Sequence, residues 1–143
     1  MRWLALPLLA LYFSVAQAAN GITINHAWVR VPAPGSTLTA AYLSIESPQP
    51  LTLYKVTSPA AAAVEMHSMS MKGDVMEMRQ VDTIAVKPGQ VTRLERGGLH
   101  LMLIDLKMPL KTGDQVDLVL HFKQAGKPAV SKGIKVPVKL TQD

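Results

Sequence analysis

The chain has 143 residues, a formal net charge of +5 and no cysteine. This length suits a single domain with its own hydrophobic core. The positive charge is modest and spread along the chain without a Lys/Arg block, which argues against nucleic-acid binding. The lack of cysteine excludes disulfides and every site that needs a thiolate, including a blue-copper electron-transfer centre.

Residues 1–18 have the pattern of a signal peptide. Arg2 gives a positive start, residues 4–15 are apolar, and Ala16-Gln17-Ala18 is an A-x-A cleavage site. The apolar run is short for a membrane span, and no cysteine follows it to carry a lipid. We therefore expect a periplasmic protein cleaved after about Ala18, with residues 19–143 as one domain and no stable membrane insertion.

Short apolar runs follow along the rest of the chain. They predict strands at 22–25, 28–31, 38–45, 51–57, 64–71, 75–81, 83–86, 91–94, 99–106, 116–122 and 134–140. Turns that contain Pro and Gly separate these runs, and residues 60–63 are compatible with a brief helical turn. Many short strands without a long helical period predict an all-β sandwich or barrel.

The stretch from residue 64 to residue 102 has the most unusual composition. Five of the eight methionines fall between Met66 and Met78, and two of the four histidines, His67 and His100, also lie there. Thioether sulfur and imidazole without thiolate form a soft ligand set, which favours Cu(I) over Mg²⁺ and Ca²⁺. Methionine is also an ordinary core residue, so the composition alone leaves packing open as an alternative.

Two turns organise this stretch. A two-residue hairpin turn at Gly73-Asp74 would pair Lys72 with Val75. On one side of that hairpin the register then predicts three opposed pairs: Met71 with Met76, Met69 with Met78, and His67 with Gln80. A second hairpin is predicted at Gly97-Gly98, after which alternation places His100 and Met102 on one face and Leu99, Leu101 and Leu103 on the other.

The spacing of four of these residues resembles that of a known family. His67, Met78, His100 and Met102 form the pattern H-x10-M-x21-H-x-M, which resembles the periplasmic copper chaperones called PCuAC. The flanking sequences that agree are Ala27-Trp28-Val29-Arg30, Ala40-Ala41-Tyr42-Leu43, Gly97 to Leu103 and Gly113-Asp114. The resemblance implies a cupredoxin-like Greek-key β-sandwich or barrel that binds one Cu(I) per chain through these two His and two Met residues.

The resemblance also implies a function. It suggests that the protein carries Cu(I) to an acceptor, such as a cytochrome oxidase subunit or another assembly chaperone, for the copper centre of cytochrome c oxidase. A copper-sequestering tolerance protein and a metal-free β-sandwich interaction module remain as alternatives. The sequence has no Ser/His/Asp set, HExxH motif or Gly-rich phosphate loop, so we predict that the protein is not an enzyme.

Overall fold

The computed structural model describes residues 21–141, which form ten strands. The strands are β1 (Thr23–Arg30), β2 (Thr39–Glu46), β3 (Leu51–Thr57), β4 (Ala61–Lys72), β5 (Val75–Gln80), β6 (Ile84–Val86), β7 (Thr92–Leu94), β8 (His100–Leu106), β9 (Gln115–Gln124) and β10 (Lys127–Lys139). The predicted all-β class is confirmed. Within residues 21–141, no helix has the length and apolarity needed to cross a membrane. The predicted signal peptide and its cleavage site lie outside the described residues.

The strands form one sheet that closes on itself. Its order is β5-β4-β8-β2-β1-β10-β9-β3-β6, and an additional pairing of β4 with β3, at Val64 and Val56, closes a ring of seven strands. β1 and β10 pair in parallel, whereas the other pairings are antiparallel. β5 lies outside the ring and is hydrogen-bonded to β4, so the Met-rich hairpin extends from the edge of the barrel.

The hydrophobic core fills the inside of this ring. Alternating residues on β9, namely Val116, Leu118, Leu120 and Phe122, are almost fully buried. On β8 the core receives Leu101 and Leu103, as alternation predicts. Burying each such side chain contributes about 1.5–3 kcal/mol. Because successive side chains of a strand point to opposite faces, the residues between these leucines lie on the outer face of the barrel.

Three local expectations differ from the structure. Residues 60–63 are not a helical turn, because β4 begins at Ala61 and pairs there with Leu106 of β8. β1 is one strand rather than two, and an irregularity in its pairing with β2 spans His26, which has a φ of 53°. β10 begins at Lys127 and not at residue 134, because its first half pairs with β9 although its residues are largely exposed and include few large apolar side chains.

The predicted hairpin at Gly97-Gly98 is also wrong. β7 and β8 do not pair with each other but follow one another along β2, where Leu94 pairs with Leu43 and Leu101 pairs with Ala41. The residues between them form a tight turn in which Glu95 N donates a hydrogen bond to the carbonyl of Leu99 at 2.8 Å. This turn places Gly97 beside the face that carries the two predicted ligands of β8.

Candidate metal centre

The hairpin of β4 and β5 has the register that the sequence predicts. Lys72 pairs with Val75 across the turn, and the pairs above it are Met71–Met76, Met69–Met78 and His67–Gln80. Gly73 has a φ of 64° and Asp74 has a negative φ, which is the pattern of a type II′ turn with glycine in its first central position. The predicted face of four methionines and one histidine is therefore confirmed.

β8 lies on the other side of β4 and completes the arrangement. His67 pairs directly with His100, and Glu65 pairs with Met102. The imidazole rings of the two histidines are stacked with their centroids 5.7 Å apart. Paired residues project to the same side of a sheet, so the four predicted ligands lie on one face of three adjacent strands. Because β4 lies between β5 and β8, these four side chains come from three neighbouring strands.

A cavity of about 500 Å³ opens on this face. Three of the predicted ligands line it, namely Met78, His100 and Met102, and Met69 lines it as well. Arg30 at the end of β1 also lines it, together with Pro32 and Leu38 from the connection between β1 and β2. His67 does not line the cavity but lies at its side, in contact with His100.

Hydrogen bonds determine which nitrogen of each imidazole can bind a metal. The Nδ1 of His100 is 3.0 Å from the carbonyl oxygen of Gly98, and because a carbonyl only accepts, Nδ1 carries the proton and Nε2 keeps its lone pair. The Nε2 of His67 is 2.8 Å from the Oε2 of Glu65, so Nε2 is the donor there and Nδ1 keeps its lone pair. Both rings therefore hold a free lone pair.

The Nδ1 of His67 is unusual among the buried polar atoms. Among the buried side-chain nitrogen and oxygen atoms of residues 21–141, it alone has no hydrogen-bond partner. A buried acceptor without a partner costs about 1–3 kcal/mol. A metal ion that coordinates this nitrogen would remove that cost, which fits the choice of His67 as a ligand.

Sequence reasoning missed Glu65 as a functional residue. Its carboxylate belongs to no motif, but it lies two residues before His67 and therefore on the same face of β4. A carboxylate that accepts a hydrogen bond from a metal-binding imidazole fixes its tautomer and its orientation. The i, i+2 spacing was the signal that could have identified it.

His100 is packed within a row of aromatic rings. Trp28, Tyr42, His100 and His67 lie on four adjacent strands, with ring-centroid distances of 4.9 Å, 6.4 Å and 5.7 Å between successive members. His100 is only 3% exposed. Trp28 is buried, lines a smaller neighbouring cavity of about 200 Å³ and covers one end of the row, beneath Arg96. This packing restricts the ring of His100 to one orientation.

The methionines divide into two groups. Met66 is 6% exposed and belongs to the core. Met71, Met76 and Met78 are 60%, 46% and 51% exposed, respectively. Core packing therefore does not explain the three exposed methionines of the hairpin. Outside this stretch, Met108 is 70% exposed.

The donor set fits Cu(I) better than a hard cation. In residues 21–141, no three His, Cys, Asp or Glu side chains come close enough to hold a metal ion together. The face instead combines two imidazole lone pairs with thioethers, which are neutral soft donors suited to Cu(I). A harder cation such as Mg²⁺ or Ca²⁺ requires several oxygen ligands.

Comparison with known proteins agrees with this description. A family described as "Putative lipoprotein LpqE-like" matches residues 22–141. The chain belongs to the LpqE-like family. This LpqE-like chain also resembles "Putative lipoprotein Lxx21020" from Leifsonia xyli subsp. xyli (strain CTCB07). The two are 32% identical over 124 residues, which is 85% of this chain and 71% of that protein. Lipoproteins are exported, so these matches support the prediction of an exported protein.

Solved structures with the same fold include copper-binding domains. The copper-bound PCuAC domain from PmoF2 matches the LpqE-like chain with a TM-score of 0.68 and 24% identity, over 85% of this chain and 94% of that one. The solution structure of CuI-DR1885 from Deinococcus radiodurans matches with a TM-score of 0.62 and 29% identity, over 88% and 83%. The cupredoxin-like fold is thereby confirmed, and the matched domains are copper-binding proteins, not enzymes.

Proposed function

We propose that this LpqE-like protein binds one Cu(I) through His67, Met78, His100 and Met102 and carries it to an acceptor protein in the periplasm. The observation that supports the proposal is that two imidazoles with free lone pairs and two thioethers share one face of three adjacent strands. The likeness to CuI-DR1885, at 29% identity, supports the identity of the ion. The ligand assignment itself comes from the motif.

The exposure of the site favours transfer over storage. Met78 is 51% exposed on β5, the outermost strand, whereas His100 is buried at the opposite side of the site. An incoming donor group from a partner can approach an exposed thioether and replace it while the imidazoles still hold the ion. A protein that only sequesters copper has no need of such an open side, so a copper carrier explains the geometry better.

The acceptor that we propose is a protein in the assembly of the copper centre of cytochrome c oxidase, either an oxidase subunit or another assembly chaperone. Thioethers and neutral imidazoles leave a singly charged centre, which favours Cu(I) and disfavours Cu(II). The ion would therefore be delivered in its reduced form. The support for this acceptor is the resemblance of the sequence to the PCuAC chaperones.

The exposed methionines argue against a metal-free interaction module. In such a module the methionines would fill the core, and that is true only of Met66 within the hairpin. Leucine at position 78 or 102 would then be harmless to every function of the protein. The two readings therefore differ in the effect of one substitution.

The experiment is a Cu(I) titration followed by native mass spectrometry and competition with a Cu(I) chelator. We expect one tightly bound Cu(I) per chain, with Zn²⁺ and Cu(II) bound much more weakly at the same site. Met78→Leu and Met102→Leu conserve volume, so each should change the free energy of unfolding by less than about 1.5 kcal/mol. Each should nevertheless lower the affinity for Cu(I) by more than about tenfold, since a ligand is lost.

Met108→Leu is the matched control, because Met108 is exposed and lies outside the site. It should leave copper binding unchanged. Equal or tighter binding of Zn²⁺ would contradict the assignment of Cu(I). Unchanged copper affinity in Met78→Leu and Met102→Leu would contradict the ligand set and favour the interaction module.

A further inference from the structure

Three methionines of the hairpin have no role in the proposed four-ligand site. Met69, Met71 and Met76 share a face with the ligands His67 and Met78. Met71 and Met76 lie next to the turn and are 60% and 46% exposed. Large apolar side chains at the tip of an edge hairpin gain little from burial, so their presence there calls for another explanation.

The opposite face of the same hairpin provides an internal comparison. Its residues between the turn and the site are Ser68, Ser70, Glu77 and Arg79, and they contain no sulfur. Glu77 and Arg79 form an exposed ion pair of 3.9 Å on that face. At these positions the hairpin therefore carries thioethers on the side of the proposed metal centre and polar groups on the other side.

The backbone brings the thioethers of each pair close together. Val81 N donates to the carbonyl of Met66 on the β5 side of β4, whereas Met69 N donates to the carbonyl of Gly98 on the β8 side. Since these directions alternate along a strand, Met69 and Met71 occupy the non-hydrogen-bonded pairs of the hairpin, where side chains approach most closely. Their Cβ atoms lie about 4.5–5.5 Å from those of the opposed methionines.

The pairs form a continuous series that leads to the metal centre. Successive pairs are two residues apart along the strand, which is about 7 Å. The pair Met71–Met76 lies next to the turn, the pair Met69–Met78 follows it, and His67 with His100 comes next. Both members of the middle pair line the cavity of the metal centre. Met78 is thus shared between the proposed ligand set and the outer methionines.

From this arrangement we propose that Met71 and Met76, together with Met69, form a second and weaker Cu(I) position, through which the ion enters and leaves the four-ligand site. The inference rests on the proposed function. Transfer between the two positions replaces the thioethers of the outer methionines by the imidazoles and thioethers of the inner site. All of these donors are neutral, and each imidazole already has a free lone pair, so no electron or proton moves. The outer position is weaker because it has no imidazole and because solvent reaches it.

The test compares wild type with the double variant Met71→Leu/Met76→Leu, and uses Met108→Leu as the control for loss of an exposed methionine. Native mass spectrometry with excess Cu(I) counts the bound ions, competition with bicinchoninate gives the dissociation constant of the first ion, and stopped-flow transfer to bicinchoninate gives the exchange rate. We expect wild type and Met108→Leu to bind a second Cu(I) weakly.

In the double variant we expect the second ion to be lost while the dissociation constant of the first is unchanged. The transfer rate should fall by about tenfold, which corresponds to a barrier about 1.4 kcal/mol higher. The same stoichiometry and the same transfer rate in wild type and double variant would overturn the second position. Failure of the wild type to bind even the first Cu(I) would instead overturn the proposed function, so the two failures are distinguishable.

Discussion

Glu65 is hydrogen-bonded to His67, one of the four proposed copper ligands. Its Oε2 accepts a hydrogen bond from the Nε2 of the imidazole at 2.8 Å, and this leaves the Nδ1 buried, without a partner and free to bind a metal. Without the carboxylate, either nitrogen could carry the proton and the ring could rotate. Removal of a group that holds a metal-binding imidazole in place typically lowers metal affinity by about 10–100-fold.

We therefore predict that Glu65→Ala lowers the affinity for Cu(I) by about 10–100-fold. Glu65→Gln should have a smaller effect, because its amide oxygen still accepts the hydrogen bond. The control is Glu77→Ala, since Glu77 has a similar side-chain exposure, 37% against 33% for Glu65, but lies on the opposite face of the hairpin. Competition with a Cu(I) chelator measures all three variants. Equal affinities in Glu65→Ala and Glu77→Ala would show that the carboxylate does not position the ligand.

At the level of single residues, the motif identified four side chains and the structure brings all four to one face. Alternation also assigned Leu101 and Leu103 to the core correctly. The role of Glu65 was not evident, because carboxylates are hard donors and an isolated one in a strand is usually solvated. Tautomers likewise depend on neighbours in space, such as the carbonyl of Gly98 beside His100.

Among the elements that carry the proposed ligands, β5 is the one with the fewest buried residues. β5 is hydrogen-bonded only to β4, and nearly all its residues are exposed, so Met78 is positioned by the hairpin register and not by burial. Elements with few buried contacts open locally at a small cost in free energy. The turn at Gly73 is therefore important for the geometry of the metal centre.

We predict that Gly73→Ala weakens Cu(I) binding more than it weakens the fold. Alanine at a φ of 64° in a type II′ turn is strained by about 1–3 kcal/mol. Local opening of the hairpin relieves this strain but removes Met78, so affinity should fall by about tenfold. Chelator competition measures the affinity, and thermal unfolding measures the stability of the barrel.

Gly89→Ala is the control for this substitution. Gly89 also has a positive φ, of 72°, and neither glycine has an atom within 4 Å of the position that a Cβ would occupy. Gly89 lies in the turn between β6 and β7, away from the hairpin. Alanine there should cause similar strain with no change in copper affinity. A loss of affinity as large as that of Gly73→Ala would show that the effect is not specific to the hairpin.

The elements show where sequence patterns are informative. The strand at 51–57 and the register of the Met hairpin follow from alternation and turn chemistry, which are local. The start of β4 at Ala61 and the first half of β10 depend on pairing with β8 and β9, which overrides the weak local preference of small or polar residues. The two glycines predict a hairpin at Gly97-Gly98, but β7 and β8 both pair with β2 and not with each other. A local turn pattern does not show which strand will be the partner.

On the scale of the whole molecule, the proposed metal centre and the core lie on opposite sides of the same sheet. The leucines of β8 fill the barrel, and His100 and Met102 face outward from the same strand. Substitutions of the proposed ligands should therefore leave the core intact. The ligands also come from distant parts of the sequence, so an unfolded chain does not hold them together, and Cu(I) should bind mainly to the folded state.

The last prediction follows from this linkage. An ion that binds only the folded state at a free concentration of 100 times its dissociation constant stabilises it by about 2.7 kcal/mol. For a domain of this size, that raises the midpoint of thermal unfolding by roughly 10 °C. Differential scanning calorimetry under reducing conditions, with and without chelator-buffered Cu(I), measures the shift.

The shift should distinguish the ligands from other methionines. Met108→Leu should retain it in full, and Met78→Leu/Met102→Leu should lose most of it at the same free Cu(I), although both proteins unfold at nearly the wild-type temperature without copper. A shift that persists in the double ligand variant would mean that Cu(I) stabilises the barrel from another position. In that case the four side chains would share a face without forming the site, and the outer methionines Met71 and Met76 would be the first alternative to examine.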